Sequence, residues 1–466
     1  MNYIIKPFSL FTLLKIVNDR HTFKLYILGI NIIHISKKKD NFHVKLFKTI
    51  PILKIINESY FNIEKQQNNY LKIIEKLKNK IINSEKINVL FFINEISKWK
   101  TRKLYETLKA DERFNVQIIA TYLPVYESFA FDKDKEIDLI KNYFEKNNIE
   151  YTFVESNDKK TFKKFTKNAD IFFITQPWGL RKYMKPHNLN NSLIYYIPYY
   201  VPNINNMILD YRLDFHPYLF RYYVTNIQWE QQFKYYAKEK YKIEANNIFG
   251  IGHTQLDNYI NIKEEENKNY IIYAPHLSFF HPKNVRNRIE DYTGTFNIYG
   301  KEILEYAKNT KDKISWVWKP HPDLKQVIKK TEIMTEDEAN TYYNDWEKIG
   351  IACYDADYIK LFRESKCLIT DCRSFTIEYF TTKKPIIRLV SKHFTLPLPP
   401  QVQDIYDSFY NAYSLEDLYN FIDEVVIKGN DYMKEKRLKV LEEQNLLNSN
   451  ATENIYNDIK NTLEIK

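Results

Sequence analysis

Apolar residues fall into two patterns along this chain, and each pattern predicts a different kind of element. Short runs that are apolar throughout, such as INVLFFIN from Ile87, are typical of strands that are buried on both faces. Longer segments carry apolar residues at helical spacing, as in the segment near Trp99–Lys109. Because the two kinds of segment alternate, the sequence predicts an α/β fold with parallel sheets made of βαβ units.

The alternation divides into two lobes. The first lobe is predicted over residues 87–245, the second over residues 246–430, and C-terminal helices over residues 431–466. No Pro- or Ser-rich linker separates the lobes, so we expect them to pack closely around one cleft. The predicted strands are INVLFFIN, FNVQIIATY, YTFV, DIFFIT and SLIYYIP in the first lobe, and NIFGIG, YIIYAP, ISWVWK, KCLITD and PIIRLV in the second.

Residues 1–86 precede this alternation and are predicted to form an accessory region. An apolar segment of helical length, Pro7–Val17, comes before two similar apolar runs, Leu25–Ile35 and Lys45–Ile55, which predict two strands of a small sheet. Residues 64–82 have the pattern of a charged amphipathic helix. The apolar segment and the lysine-rich turns favour peripheral attachment to an anionic membrane surface, with packing against the lobes as the alternative.

The net charge and the cysteines indicate which binding partners and which cellular compartment suit the protein. The formal net charge of +10 suits an anionic membrane surface or a phosphate-rich substrate, although a lysine-rich composition alone also produces it. No compact basic tract or motif predicts nucleic-acid binding. Three cysteines without metal-ligand spacing favour a reduced, cytoplasmic setting. No segment has the ~18 apolar residues of a spanning helix, and we expect neither a signal peptide nor a transmembrane segment.

Polar residues follow the predicted strands of the second lobe, at the edge where open α/β sheets bind ligands. KCLITD ends at Asp371, and Cys372-Arg373-Ser374 leads into a predicted helix. Ser374 is expected near the N-cap of this helix, and the free N–H groups there would bind a phosphate oxygen together with Arg373. A purely structural cap is the alternative interpretation.

Two more strand ends carry histidines. Lys319 and His321 follow ISWVWK in a turn stiffened by two prolines, a combination that suits a diphosphate. His276 follows YIIYAP, and His281 lies five residues further on. The spacing of the three histidines matches no metal motif, so no metal site is predicted. Gly252, in the segment IGHTQLD, is expected at a tight turn that faces the cleft.

Taken together, these segments resemble the CDP-glycerol glycerophosphotransferase family, the polymerases of teichoic acids and related capsule enzymes. The resemblance covers mainly residues 248–389 and rests on IGHTQLD, YAP, WKPHP and ITDCRSFTIEY in that order. It implies a GT-B fold of two Rossmann-like lobes, with the acceptor on the first lobe and a nucleotide-activated, CDP-linked donor on the second. It further implies that Lys319 and His321 contact the donor diphosphate, that Arg373 and Ser374 hold phosphate, and that Glu378 meets the ribose.

The resemblance also guides the search for a catalytic base. The family often has a Trp-His-Gly-Thr segment in the first lobe, and the corresponding residues 195–203 contain no histidine. His276 is therefore the leading candidate for the base, with Glu95 after the first strand as its rival, and His276 as a diphosphate ligand is a further alternative. The need for a divalent metal stays open.

Three functions fit these observations. The first is transfer of a phosphopolyol from a CDP-linked donor to a cell-surface glycan or polymer. The second is sugar transfer from a nucleotide sugar in capsule or lipooligosaccharide synthesis by a GT-B glycosyltransferase. The third is a non-catalytic assembly protein that keeps the two lobes.

Overall fold

The structure is a computed structural model in which the chain divides into two compact units, Met1–Leu71 and Lys72–Lys466. Up to residue 62, and at residues 135 and 401, it describes the backbone alone. It describes residues 2–5, 14–18, 22–27, 30–38, 41–46, 50–51, 53–122, 133–201, 211–260, 268, 270–284, 292–354, 358–373, 375–395, 398, 400–447 and 450–465.

The N-terminal unit is an antiparallel meander. Its strands pair in chain order, each with the next, to form one sheet. Helix α1 (Leu53–Ile82) begins in this unit and continues into the second. The strands are β1 (Asn2–Ile5), β2 (Leu14–Asn18), β3 (Thr22–Ile27), β4 (Ile30–Lys38), β5 (Asn41–Leu46) and β6 (Ile50–Pro51).

Two expectations for this unit need correction. The predicted helical segment Pro7–Val17 ends in β2, because residues from Leu14 on pair with both β1 and β3, while residues 7–13 lie outside the described residues. Neither predicted run is one strand. Leu25–Ile35 covers the end of β3 and the start of β4, and α1 already begins at Leu53 within Lys45–Ile55. The helix predicted over residues 64–82 is therefore the later part of a longer helix.

The second unit contains two separate parallel sheets. The first sheet has the order β9-β8-β7-β10-β11-β12-β13, and all of its neighbouring strands run parallel. Its strands are β7 (Ile87–Ile93), β8 (Phe114–Ala120), β9 (Thr152–Phe153), β10 (Ile171–Ile174), β11 (Leu193–Tyr196), β12 (Arg221–Tyr223) and β13 (Ile248–Phe249). The connecting helices are α2 (Arg102–Ala110), α3 (Lys133–Lys146), α4 (Lys159–Asn168) and α5 (Ile227–Tyr241), with short 3₁₀ helices at Ile96–Lys98, Lys182–Met184, Pro186–Asn188, His216–Tyr218 and Leu256–Tyr259.

The boundary between the lobes differs from the prediction. The strand in NIFGIG, which was assigned to the start of the second lobe, is β13, and it pairs with β12 at the edge of the first sheet. Gly250 explains why the chain can turn there, since a Cβ at this position would lie 2.2 Å from the carbonyl oxygen of Asn226. Strands β12, β16 and β19 are too short, at two or three residues, to give a clear sequence pattern.

The second sheet has the order β16-β15-β14-β17-β18-β19, again with every neighbouring pair parallel. Its strands are β14 (Tyr270–Ala274), β15 (Ser315–Trp318), β16 (Ile351–Ala352), β17 (Cys367–Thr370), β18 (Ile386–Leu389) and β19 (Tyr410–Ala412). Its helices are α6 (Phe296–Thr310), α7 (Leu324–Lys330), α8 (Glu336–Ile349), α9 (Ile359–Glu364), α10 (Thr376–Phe380), α11 (Pro400–Tyr406), α12 (Leu415–Phe421), continued by a π-helix at Ile422–Ile427, α13 (Lys434–Glu443) and α14 (Ala451–Leu463).

Large aromatic side chains fill both cores. In the first lobe Phe91 and Phe173 stack with ring centroids 4.5 Å apart, on neighbouring strands. In the second lobe Trp318 stacks on Trp346 at 4.9 Å with nearly parallel rings, which attaches α8 to β15. Aromatic pairs of this kind add about 0.5–1.5 kcal/mol each beyond the area that they bury. The apolar runs in the sequence are therefore explained by strands covered on both faces.

The last helix of the chain, α14, returns to the first lobe. It packs against α2, and Asp458 forms an ion pair with Arg221 of β12 at 3.0 Å. The start of α14 is held by Asp257, whose carboxylate accepts the backbone N–H groups of Ala451 and Thr452 at 3.0 and 2.8 Å. A carboxylate at a helix N-terminus is favourable, because it satisfies N–H groups that lack a partner within the helix.

Candidate functional site

The order of the second sheet places a crevice between β14 and β17. From β14 the chain proceeds outward through β15 and β16, then crosses back to β17 and proceeds in the opposite direction. Loops that leave two neighbouring strands in opposite directions open a crevice at the carboxyl ends, and this is where open α/β sheets bind ligands. His276 follows β14 and Asp371 follows β17, so both lie at this crevice.

Asp371 joins the two sides of the crevice. Its carboxylate accepts the backbone N–H of His276 at 2.6 Å, the backbone N–H of Thr295 at 2.6 Å and the Thr295 hydroxyl at 2.9 Å. Burial raises the pKa of this carboxyl to about 6, against the hydrogen bonds, which lower it. Gly294 permits the approach, since a Cβ there would lie 2.7 Å from the nitrogen of Phe279. The carboxylate thus fixes the loops of the crevice.

His276 and His321 stand side by side at the carboxyl ends of β14 and β15. Their ring centroids are 5.0 Å apart and the rings are nearly perpendicular. Nδ1 of His276 contacts the hydroxyl of Ser278 at 2.6 Å and accepts its backbone N–H at 3.2 Å. Nδ1 of His321 accepts the backbone N–H of Asp323 at 3.1 Å. An accepting Nδ1 places the proton of a neutral imidazole on Nε2, so both rings are suited to donate to an anion.

Lys319 reaches from the end of β15 toward the first lobe. Its ammonium lies 4.8 Å from the ring centroid of Tyr358, the residue at the N-cap of α9. The Lys319 side chain is largely buried, with a relative exposure of 9%. A lysine this buried is favourable only beside groups that stabilise its charge, as an aromatic face does.

Arg373 lies on the turn between β17 and α10. Its guanidinium stacks over the ring of Phe394, in the loop after β18, at 4.9 Å. Helix α10 begins at Thr376 with Phe375 at its N-cap, and no side-chain cap is made there. The predicted phosphate contact of Ser374 lies outside the described residues. Helix α10 ends at Phe380.

Glu378 is buried where the two lobes meet. One of its carboxylate oxygens accepts the Tyr358 hydroxyl at 2.9 Å and the side-chain amide of Gln255 at 3.0 Å. Burial raises the pKa of this carboxyl, and the nearby charge of Lys100 opposes that rise. Gln255 belongs to IGHTQLD, the segment through which the chain leaves the first sheet. The contacts of Glu378 therefore join the two lobes.

Lys100 supplies the first lobe's side of this junction. It lies between the carboxyl end of β7 and helix α2, and its ammonium donates to the Tyr358 hydroxyl at 2.8 Å. The backbone carbonyl of Lys100 accepts the hydroxyl of Thr254 at 2.7 Å. Gly252, nearby in the same segment, has a φ of +115°, which favours glycine. Its N–H donates to the carbonyl of Val224 at 3.3 Å, so it lies at a turn beside the first sheet.

Glu95 lies two residues beyond the end of β7. Its carboxylate forms an ion pair with Lys98 at 2.5 Å and accepts the Ser97 hydroxyl at 2.7 Å. The Lys98 ammonium also lies 5.1 Å from the ring of Tyr199. Glu95 is thus at the carboxyl edge of the first sheet, as predicted, and it is held by charged and polar neighbours.

Two buried amides mark the equivalent crevice of the first sheet, between β7 and β10. Val89 pairs with Ile171 across these strands. Asn94 follows Val89 by as many residues as Gln176 follows Ile171, so both lie at the same end of the sheet. Within the described residues, Oδ1 and Nδ2 of Asn94 have no hydrogen-bond partner. Oε1 of Gln176 has none either. Both side chains are buried, at 4% and 0% exposure. Buried polar atoms without partners are rare and point to a ligand or water.

Sequence reasoning did not single out Lys100, Gln255, Tyr358, Asn94 or Gln176. Gln255 and Asn94 lie in segments that the sequence places at strand ends. That position could have identified them as candidate site residues. Lys100 lies in the segment near Trp99–Lys109, whose helical pattern carries no such signal, and Tyr358 comes from a loop without a pattern. Within the described residues, no three His, Cys, Asp or Glu side chains are grouped as metal ligands. Among the described helices, none is both long and apolar enough to cross a lipid bilayer.

The two Rossmann-like lobes, each with a crevice at the carboxyl edge of its sheet, define a GT-B-like α/β fold. No family model matches the sequence. The chain is 25% identical over 228 residues to the minor teichoic acid biosynthesis protein GgaB of Bacillus subtilis (strain 168), and this covers 45% of the chain. The match spans only 23% of the length of GgaB. It confirms the predicted resemblance to teichoic-acid proteins.

A solved structure confirms the fold. The complex of S. aureus MnaA with UDP has a TM-score of 0.50 at 12% identity, covering 82% of this chain and 98% of that one. A variant of the wall teichoic acid polymerase TagF has a TM-score of 0.48 at 13% identity, covering 87% and 99%. At such identities the likeness concerns the fold alone.

Proposed function

We propose that this chain transfers a phosphopolyol, such as glycerol phosphate, from a CDP-activated donor to a hydroxyl of a cell-surface glycan or polymer. The observation that carries the proposal is the cluster at the crevice of the second sheet. His276 and His321 stand side by side there, and Lys319 and Arg373 follow the adjoining strands. The similarity to a teichoic acid biosynthesis protein supports the choice of reaction class.

The donor diphosphate is proposed to lie against His276, His321 and Lys319. Two Nε2–H donors and one ammonium provide the charge-assisted hydrogen bonds that a diphosphate requires. Arg373 and Ser374 would hold a phosphate oxygen from the opposite side of the crevice. Asp371 acts on the donor through the loops that it fixes, because its oxygens already accept three hydrogen bonds.

The acceptor is proposed to bind at the first sheet. Asn94 and Gln176 offer amide groups to hydroxyls, and Glu95 lies beside them at the end of β7. The expected tautomer of His276 holds its proton on Nε2, which favours His276 as a diphosphate ligand over His276 as the base. Glu95 is then the preferred base, released from Lys98 when substrate binds.

The proposed reaction forms one bond and breaks another at the same phosphorus. The acceptor hydroxyl gives its proton to the base, and its oxygen attacks the phosphorus that carries the polyol. The phosphoanhydride bond breaks, and CMP departs with the bonding electrons. The cations of the crevice stabilise the charge that develops on CMP, so positioning and electrostatics supply most of the rate.

A binding and product experiment tests this function. CDP-glycerol and CDP-ribitol are expected to raise the melting temperature more than UDP-sugars do, and turnover is expected to release CMP. Stabilisation by UDP-sugars alone, with release of a nucleoside diphosphate, would identify a sugar transferase instead. Absence of stabilisation by every nucleotide would identify a non-catalytic assembly protein.

We further propose that the protein acts at the inner face of the bacterial membrane, attached through residues 1–60. The support is the sequence alone, an apolar segment at Pro7–Val17 beside lysine-rich turns. Liposomes that contain anionic lipid are expected to co-sediment the full chain and not a chain that lacks residues 1–60. Equal sedimentation of both chains would refute this attachment.

A further inference from the structure

Two lysine ammonium groups that come from different lobes lie near the ring of Tyr358. Lys100 of the first lobe lies 4.4 Å from the ring centroid, and Lys319 of the second lobe lies 4.8 Å from it. The two ammonium groups are therefore no further apart than these two distances together. Tyr358 is 8% exposed, so both cations approach a group that is largely shielded from water.

One carboxylate is connected to this pair of cations. The Lys100 ammonium donates to the Tyr358 hydroxyl at 2.8 Å, and that hydroxyl donates to Glu378 at 2.9 Å. Burial keeps the pKa of the Tyr358 hydroxyl well above its ordinary range, so Tyr358 stays a neutral donor. The Lys100 and Lys319 ammonium groups thus bring two positive charges, one from each lobe, close to each other beside the donor crevice.

Two ammonium groups that lie close together form a favourable place for an anion. Two like charges in a partly dry site repel each other, and the repulsion is stronger than in bulk water. An anion that bridges both ammonium groups removes the repulsion and adds charge-assisted hydrogen bonds. Of the two lysines, Lys319 already follows β15 next to His321, in the position proposed for the donor diphosphate.

We propose that Lys100 is a diphosphate ligand supplied by the first lobe, which completes the site formed by Lys319 and His321 in the second. This inference rests on the proposed nucleotide-donor function and extends it. Binding of the diphosphate then draws Lys100 from the Tyr358 hydroxyl onto a phosphate oxygen. A nucleoside diphosphate thereby holds the two lobes together, whereas a nucleoside without phosphates contacts the second lobe alone.

The test measures the affinity of the full chain for CDP, inorganic pyrophosphate and cytidine by titration calorimetry. Lys100→Ala is expected to weaken binding of CDP and pyrophosphate by about 10- to 100-fold, the loss of a charge-assisted hydrogen bond. Cytidine affinity is expected to stay unchanged. Lys100→Arg should restore most of the diphosphate affinity, because it returns the charge to the same place.

Lys103→Ala is the matched control. Lys103 is an exposed lysine of α2, three residues along the chain, and its substitution removes the same charge from the same lobe. It is expected to bind CDP as the unaltered chain does. A general electrostatic effect would weaken both variants equally and would refute the assignment of Lys100.

The remaining outcomes separate this inference from the proposed function. If Lys319→Ala weakens CDP binding and Lys100→Ala does not, the second lobe binds the donor alone and the role of Lys100 is refuted. Equal losses for cytidine and CDP in Lys100→Ala would show a structural role for this lysine and would also refute the inference. If the unaltered chain binds neither CDP nor pyrophosphate, the proposed function fails together with it.

Discussion

The carboxylate of Asp371 accepts the backbone N–H of His276 at 2.6 Å, and this bond connects the ends of β17 and β14. The same carboxylate accepts the N–H and the hydroxyl of Thr295, so the loop before α6 is attached at the same point. The position of His276 is thus fixed by a buried acid whose oxygens accept three hydrogen bonds from the protein.

Asp371→Asn is expected to destabilise the fold and loosen the crevice. An amide offers one oxygen where the carboxylate offers two, so a buried backbone N–H loses its acceptor at a cost of about 1–3 kcal/mol. Urea unfolding measures this cost, and Thr295→Val, which removes the hydroxyl contact alone, is expected to cost less. Unfolding of Asp371→Asn at the same urea concentration as the unaltered chain would show that the three bonds contribute little.

His321→Ala and Arg373→Ala are each expected to weaken CDP-glycerol binding by roughly 1.5–3 kcal/mol, because each removes a donor to an ionised phosphate. His281→Ala is the control, a histidine in the loop after β14 whose Nδ1 accepts the N–H of Lys283. Calorimetry should show normal affinity for it. Normal affinity in all three variants would remove the phosphate site from the second lobe.

Single-turnover rates at saturating donor separate the two candidate bases. Glu95→Gln is expected to lose turnover by about 10²-fold or more while it keeps donor affinity, since general-base catalysis contributes that much. His276→Ala is expected to lose donor affinity first and to recover much of its rate when donor is saturating. The opposite result, with lost turnover at full donor occupancy only in His276→Ala, would make His276 the base.

The loss of folding stability at acidic pH is expected to depend on His253. This side chain is buried, its Nε2 lies 2.8 Å from the carbonyl of Pro198, and burial lowers the pKa of the imidazole from 6.5 to about 4. The unfolded chain takes up the proton first, so the contribution to stability is complete above pH 6.5. It is lost progressively as the pH falls toward 4, by about 1.4 kcal/mol per pH unit.

His253→Gln keeps a donor for Pro198 and should flatten this dependence in urea unfolding between pH 6.5 and 4. His216, whose pKa burial lowers to about 3, is present in both chains and cancels in the difference. Asp371 acts in the opposite direction, because its raised pKa gives stability that is complete below 3.8 and is lost as the pH rises through about 6. Identical pH slopes for the two chains would exclude His253 as a source of acid sensitivity.

The sequence predicted the strands that are longest and most apolar, because burial on both faces leaves an uninterrupted apolar run. INVLFFIN and YIIYAP became β7 and β14, and the polar residues after them lie at the two crevices. Strand β13 was assigned to the wrong lobe, since two residues carry no information about the sheet that they join.

The contacts between lobes could not be predicted at all. Lys100 and Tyr358 are separated by more than half of the chain, and the helical pattern near Trp99–Lys109 does not indicate which residue Lys100 contacts. Their meeting depends on how two sheets pack, which is a property of the whole second unit. The role of Asp371 was likewise hidden, because its bonds are to backbone N–H groups that any residue would offer.

The return of Ala451–Leu463 to the first lobe has a consequence for dissection of the molecule. The first lobe is assembled from two separate stretches of sequence, with the whole second lobe inserted between them. A single proteolytic cut near residue 252 would leave two fragments that stay associated, because the later fragment carries a helix of the earlier one. A second lobe expressed by itself must therefore end before Ala451, because a fragment that includes Ala451–Leu463 would expose the apolar face of an unpaired helix.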